Sequence, residues 1–222
     1  WLSGKGMTFH YDSFYVQLQA VDSLTLTYRS EFKNKDSVFV YTPVESTIDS
    51  ITGLLRIDYP LNKSGRKIYP VYPILESHGK SFVFYEQKLN GDTLYKRNSF
   101  YVENYPFEID SLNTILAKNI FFKGNLKSGG VFPDFDEYLV VQKDNSLGFV
   151  HRLDSIGMPL YGGLAKYDNT IKLDNSGLKG EGKVNYLNTD IHAQKFYFYP
   201  DSMNVTASLV EMKKQTADSN SV

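Results

Sequence analysis

Nine short runs alternate aromatic or β-branched residues with polar ones, and they leave this chain few ways to fold. They are FHYDSFYVQLQ, DSLTLTYRS, SVFVYTP, SFVFYEQKL, NSFYVENY, KNIFFKG, EYLVVQK, QKFYFYPD and NVTASLVEM. A period of two puts successive side chains on opposite faces of an extended strand. The 17 Tyr and 15 Phe supply the bulk that a pleated, half-buried surface packs well. The runs are separated by NKDS, NKSGRK, NGDT, KSGG, KDNS, DNSG and YPDS, which is turn chemistry. NGDT predicts a hairpin. Parallel crossovers need about a dozen residues or more between strands, more than these gaps offer. The expectation is an all-β fold of stacked antiparallel strands of similar length, arranged as an elongated trough, a jelly roll or a sandwich. Only FEIDSLNTILAKNI offers a helix, and it reads equally well as a strand after a turn. The expected organisation is an N-terminal β region over 1–105, a C-terminal β region with related repeats over 106–212 and a polar tail over 213–222, or one continuous domain.

The second constraint is a tripeptide of Asp, then Ser or Thr, then an aliphatic residue. It recurs with its hydroxyl at Ser23, Ser37, Ser50, Thr93, Ser111, Ser155 and Ser202. Nine of the 16 Asp precede Ser or Thr, although Ser and Thr make up only 32 of the 222 residues, so chance does not produce the pattern. It resembles the O-glycosylation sequon of Bacteroidota, which is used on proteins exported to the periplasm and outer membrane. That resemblance implies sugars at these seven residues and a place outside the cytoplasm. The structural alternative is turn punctuation, because Asp and Ser side chains bond to nearby backbone. Asn62 and Asn204 also begin Asn-x-Ser/Thr triplets, a weaker pattern.

Two internal matches suggest repetition. Ile115–Phe122 and Ile191–Phe198 share the pattern Ile, any, Ala, polar, polar, apolar, aromatic, Phe, and Gly4-Lys5-Gly6 matches Gly180-Glu181-Gly182 at the start of a strand-like run. The stretch GLKGEGKVNYLNTDIHAQKFYFYPDS resembles the repeat of periplasmic lipopolysaccharide-transport bridge proteins and their AsmA- and TamB-type relatives. That resemblance implies a strand-built trough that carries lipid. The C-terminal half, from KNIFFKGNLKSGGVFPDF through SLGFVHRLDSIGMPLYGG to FYFYPDSM, also resembles parts of very large envelope proteins of Bacteroidota.

Charge and composition exclude several roles. A net charge of −1, from 24 basic and 25 acidic residues, gives no field to gather nucleic acid. The absence of cysteine removes disulfides, thiolate ligands and thiol nucleophiles. No run approaches the roughly 20 apolar residues of a membrane span, and WLSGKGMTFHY lacks the pattern of a signal peptide. The chain therefore reads as a piece of a longer exported protein.

Catalytic signatures are scarce. His10, His78, His151 and His192 lie more than about forty residues apart, outside any metal-spacing motif. Asp134, Asp136 and Glu137 form the densest acidic cluster and are the candidate ligand or metal loop, with Asp134 and Asp136 on one strand face. As a pair of acids they could serve a glycoside hydrolase, and as oxygen donors they could hold calcium. Asp144, Asp174, Asn175 and Ser176 offer further oxygen donors. Lys63, Arg66 and Lys67 could hold an anion. Tyr69, Tyr72, Tyr101, Tyr105 and Tyr161 could form a sugar-stacking platform. The reading that follows is a non-catalytic structural or adaptor segment with no cofactor. Its partner is expected to be an outer-membrane or periplasmic protein complex, lipid or glycan, with a carbohydrate-binding module as the alternative.

Overall fold

The computed structural model describes residues 1–86, 88–89 and 92–213. Eighteen strands follow one another: β1 Leu2–His10, β2 Tyr15–Lys33, β3 Phe39–Arg56, β4 Ile74–Ser77, β5 Ser81–Phe84, β6 Lys88–Leu89, β7 Asp92–Thr93, β8 Phe100–Asn104, β9 Phe107–Ile109, β10 Phe121–Ser128, β11 Phe135–Val141, β12 Leu147–Arg152, β13 Met158–Leu160, β14 Ala165–Asp174, β15 Gly177–Tyr186, β16 Thr189–Tyr199, β17 Ser202–Val205 and β18 Leu209–Met212. The only helical pieces among the described residues are two 3-10 turns, Ala117–Asn119 and Tyr161–Gly163. The fold is all-β. Sixteen strands form a single sheet in the order β1-β2-β3-β5-β8-β10-β11-β12-β14-β15-β16-β17, with β4, β9, β13 and β18 attached alongside, and every strand pair is antiparallel.

Alternation decides which face goes inward. In β5 and β8 every second residue is buried, Ser81 and Val83 in one and Phe100, Val102 and Asn104 in the other, while Phe82, Phe84, Tyr101 and Glu103 face out. The run FYFY divides the same way: Phe196 and Phe198 are buried, Tyr197 and Tyr199 half-buried. One hydrophobic cluster runs from Leu18 in β2 to Phe198 in β16, and β8 pairs with β10 across the 105/106 division.

The sheet rolls upon itself. β3 and β12 are far apart in strand order, yet Leu147 N–H donates to Ser46 Oγ at 2.9 Å and Glu45 N–H to the Asn145 carbonyl at 2.9 Å. The Tyr85 hydroxyl donates to the Leu147 carbonyl at 2.9 Å. Beyond this clasp the β2–β3 hairpin continues as a two-stranded arm in which residues 31–41 are exposed, apart from half-buried Phe39. Arg29 lies over the Phe39 ring at 4.1 Å, whereas Phe32, Val38, Val40 and Tyr41 face solvent.

Several expectations are corrected. Strand lengths are not similar, ranging from 2 residues in β6 to 19 in β2. FHYDSFYVQLQ is two strands, because Tyr11–Phe14 form a turn with Phe14 at φ +55. FEIDSLNTILAKNI makes no α-helix, only β9 and the single 3-10 turn Ala117–Asn119, with Ser111 at φ +51 between them. The Ile115/Ile191 match is not a shared element, since Ile191–Phe198 lie within β16 while Ile115–Phe122 straddle the 3-10 turn before β10. The glycine match is shared, for β1 and β15 each open a hairpin. NGDT follows β6 and its Asp92 and Thr93 are β7, with Leu89 paired to Asp92; Asn90 and Gly91 lie outside the described residues.

Candidate functional site

The outer face of β5, β8, β10 and β11 gathers most of the candidate chemistry. Cross-strand register lines up Phe82, Glu103, Asn125 and Asp136 in one row and Phe84, Tyr101 and Lys127 in the next. Adjacent strands lie about 4.8 Å apart, so the first row spans about 14 Å. Phe82, Phe84 and Tyr101 form a ring cluster with centroids 5.7 to 6.1 Å apart. Arg97 stands 3.6 Å over Phe84 and pairs with Asp49. Phe121 and Tyr138 make a second, exposed aromatic pair at 6.3 Å.

The acidic cluster is dispersed rather than convergent. Asp134 precedes β11 and pairs with Lys127, whose ammonium it holds above the usual lysine range. Asp136 accepts from Asn125 Nδ2 at 2.8 Å and the Tyr105 hydroxyl at 2.9 Å, with Lys123 at 3.3 Å; these donors hold its carboxyl below the ordinary value. Glu137 is turned to the opposite face by the strand period and meets His151 Nδ1 at 2.6 Å. Each carboxylate thus has its own partner. Among the described residues, no three His, Asp or Glu side chains are grouped to hold a metal ion. The histidines remain apart: His10 stacks on Tyr15 at 4.7 Å, His78 faces Glu76 at 3.4 Å and His192 faces Glu211 at 3.5 Å.

The other oxygen-rich turns are docked on one another. Asp144 Oδ1 accepts from Ser146 N–H at 3.1 Å, and Asp174 Oδ1 accepts from Ser176 N–H at 2.8 Å. Asn175 N–H donates across to Asp144 Oδ2 at 3.2 Å. Burial pushes Asp174 up, but hydrogen bonds from Lys179 and Ser176 outweigh it and hold the carboxyl below its ordinary value. Beside these turns a polar cleft of about 670 Å³ is bordered by Arg152, Lys172 and Glu181, a mixture of both charges.

The proposed sugar platform is divided among three places. Tyr101 and Tyr105 share the outer face just described, Tyr69 packs against Tyr59 at 5.0 Å beside Tyr72, and Tyr161 lies at the β13–β14 corner. The Tyr161 hydroxyl donates to the carbonyls of Tyr199 at 3.1 Å and Ser202 at 2.5 Å, and burial pushes its pKa up to about 12. Phe82 and Phe84 were missed from the sequence because their partners come from a different strand. Lys63, Arg66 and Lys67 are exposed on one loop. That loop is tied by buried Asn62, whose amide donates to Asp58 and to the Lys67 carbonyl, both at 2.7 Å.

The seven hydroxyl residues separate by environment. Ser37, Ser50, Thr93, Ser155 and Ser202 are exposed, whereas Ser23 and Ser111 are half-buried. Asp154 makes a true turn, its Oδ1 accepting from Ile156 N–H at 2.9 Å and Gly157 N–H at 3.2 Å. Ser23 and Ser50 are not at turns at all but inside β2 and β3, with Ser23 opposite Asp49. Turn punctuation therefore does not account for every copy. No known protein family, curated protein or solved structure matches this chain.

Proposed function

We propose that this chain is a non-catalytic structural or adaptor segment of an exported cell-envelope protein, binding an outer-membrane or periplasmic protein complex or lipid. The observation that carries the reading is the sheet's two edges. Among the described residues β1 pairs only with β2 at one end, and β17 and β18 cover only parts of β16 at the other. Trp1, Met7 and Phe9 are exposed along the first edge, and Leu209, Val210 and Met212 along the second. Long edges with apolar side chains invite strand pairing, and the exposed Phe32, Val38 and Tyr41 of the hairpin arm add contact surface. The individually paired acids support a non-catalytic role, and the sequon count supports an exported setting.

A carbohydrate-binding module is the second reading, favoured by the outer-face row of Phe82, Glu103, Asn125 and Asp136 between two aromatic groups. Rings offer stacking and the amide and carboxylates offer hydrogen bonds, the combination that saccharides require. Crosslinking and affinity purification from the native membrane separate the readings. Co-purification with an outer-membrane secretion or assembly complex, or with lipid, supports the adaptor. Retention on a defined oligosaccharide, lost in Tyr101→Ala, replaces it with the module. Recovery as a free cytoplasmic monomer sinks both.

A further inference from the structure

The loop between β3 and β4, residues 57–73, is built inside out. Asn62 is its buried residue, 4% exposed, while Leu61 is 85% and Ile68 90% exposed, the two most exposed large aliphatic side chains among the described residues. The frame that holds them out is tied. Asn62 Nδ2 donates to Asp58 Oδ2 and to the Lys67 carbonyl, and its Oδ1 accepts from Lys67 N–H at 3.0 Å. Gly65, at φ +63, donates its N–H to the Asn62 carbonyl at 2.8 Å and closes the tip. The base is anchored as well: Ser111 N–H donates to the Val71 carbonyl at 2.8 Å, its Oγ to the Pro70 carbonyl at 2.9 Å, and Ile57 N–H to the Phe14 carbonyl at 3.1 Å. The loop therefore cannot turn its aliphatics inward without breaking the bonds of Asn62.

Positive charge is concentrated at the same tip. Between Leu61 and Ile68 stand Lys63, Arg66 and Lys67 and no acid, in a chain whose net charge is −1. Lys63 lies over the Tyr11 ring at 4.3 Å with Asp12 at 3.9 Å, and Arg66 and Lys67 make no ion pair among the described residues. Asp58 is turned into the loop, where it holds the Asn62 amide, and Asp12 and Asp110 belong to the segments on which the loop rests. Aromatic rings surround that base: Tyr59 packs on Tyr69 at 5.0 Å, and Phe9 meets Tyr11 at 6.4 Å in the β1–β2 hairpin, with Tyr59, Phe9 and Tyr11 exposed.

A singly exposed aliphatic is ordinary. Two that flank three cations above a collar of Tyr and Phe have the layering of a membrane interface: apolar tips for the acyl boundary, cations for the phosphates, amphipathic rings for the headgroup level. A protein partner fits this tip less well, because lysine is depleted from protein–protein interfaces, whereas anionic lipid attracts lysine and arginine alike.

We propose that loop 57–73, together with the β1–β2 turn, docks this protein on the surface of a bilayer that contains anionic phospholipid, with Leu61 and Ile68 entering the acyl boundary and Lys63, Arg66 and Lys67 lying against lipid phosphates. The hairpin arm then points away from the bilayer. Tyr15 pairs with Arg56 at the loop end of β2 and Lys33 with Phe39 at the arm end, and the 19 residues of β2, at about 3.3 Å each, set the two ends about 50–60 Å apart. The arm stays free for a protein partner while the loop holds the lipid. This inference rests on the adaptor reading and names the surface to which the adaptor is fixed.

The test uses the full chain with vesicles of phosphatidylcholine, alone or with about one third phosphatidylglycerol. Co-sedimentation is expected to be at least tenfold tighter with the anionic vesicles, and Lys63→Gln, Arg66→Gln and Lys67→Gln should each weaken it about fivefold. Leu61→Asp with Ile68→Asp should weaken it at least tenfold at an unchanged melting temperature, since both side chains are exposed. The chain has no cysteine, so Ile68→Cys or Phe32→Cys places an environment-sensitive fluorophore at either end of β2 in a chain without the aspartates. Anionic vesicles should shift the emission to the blue at position 68 and leave it unchanged at position 32. No binding, equal binding to the two vesicles, full binding by the double aspartate variant, or a blue shift at 32 instead of 68 would overturn the proposal. Self-association without vesicles that the double aspartate variant abolishes would overturn it too, and would assign the loop to a second copy. Purified chain and defined lipid suffice, so failure here leaves the protein-complex form of the adaptor reading to the native-membrane experiment.

Discussion

The Tyr95 hydroxyl donates to the Phe198 carbonyl at 2.7 Å and accepts from Leu178 N–H at 3.1 Å, joining the segment before β8 to β15 and β16. Burial raises its pKa well above the usual tyrosine range, so it stays a neutral donor at any physiological pH. Tyr95→Phe keeps the ring packed on Phe100 at 4.1 Å but strands a buried carbonyl and a buried N–H. The expected loss is about 2 kcal/mol, read as a lower urea midpoint with an unchanged slope.

Acid should destabilise the fold in a defined window. Glu76, bonded to Arg56 and then His78, and Asp190, bonded to Asn185 and then Lys213, are held below their ordinary values of 4.5 and 3.8, as are Asp136 and Asp174. A depressed carboxyl stabilises the fold fully above its unfolded value, and that contribution disappears as pH falls through the folded one. The thermal midpoint is expected to be flat above about pH 5 and to drop below about pH 4. Asp174→Asn should lower it at pH 7 and converge with the parent at pH 2. Equal differences at both values would refute the assignment.

Ser37 sits at φ +59 in a turn that Asn34 organises by accepting from Asp36 and Val38 N–H, both at 3.0 Å. A left-handed backbone costs a non-glycine residue about 1 kcal/mol or more. Ser37→Gly in recombinant, sugar-free protein should therefore raise stability by about 0.5–1 kcal/mol. A fall in melting temperature would show that the serine side chain, not the backbone, is what the turn needs.

Glycan occupancy should follow exposure. Ser23 is flanked on both sides within β2, by Ser3 and Asp49, while Ser37 and Ser155 are exposed. Peptide mapping of protein from its native host is expected to find sugar at Ser37 and Ser155 and bare Ser23. An intact mass equal to the polypeptide alone would remove the sequon argument.

Strand content was legible because alternation is local: SFVF and FYVEN announce the faces they bury. Strand length was not, since Asp22-Ser23 and Asp49-Ser50 look like breaks yet pass through β2 and β3, where Asp49 and Ile51 pair with Ser23 and Val21 on either side of Ser50 at φ +64. The outer-face row was half legible. Tyr101, Tyr105 and Asp136 stood out as types, but their alignment with Phe82 and Asn125 depends on the register of four strands. Asp134, Asp136 and Glu137, adjacent in sequence, were read as one site and are separated by the strand period and by lysine and histidine partners from other positions.

The clasp between Ser46 and Leu147 joins residues about a hundred positions apart, so it can form only once most of the chain is available. The β1–β2–β3 meander and the β14–β15–β16 meander close locally and are expected to form first, because the entropy of closing a loop grows with its length. Rolling the sheet is the late step. A chain interrupted before β12 lacks the Leu147 N–H that Ser46 Oγ accepts, and buried Ser46 is then expected to be left without its partner, so the clasp ties the closing of the sheet to synthesis of its second half.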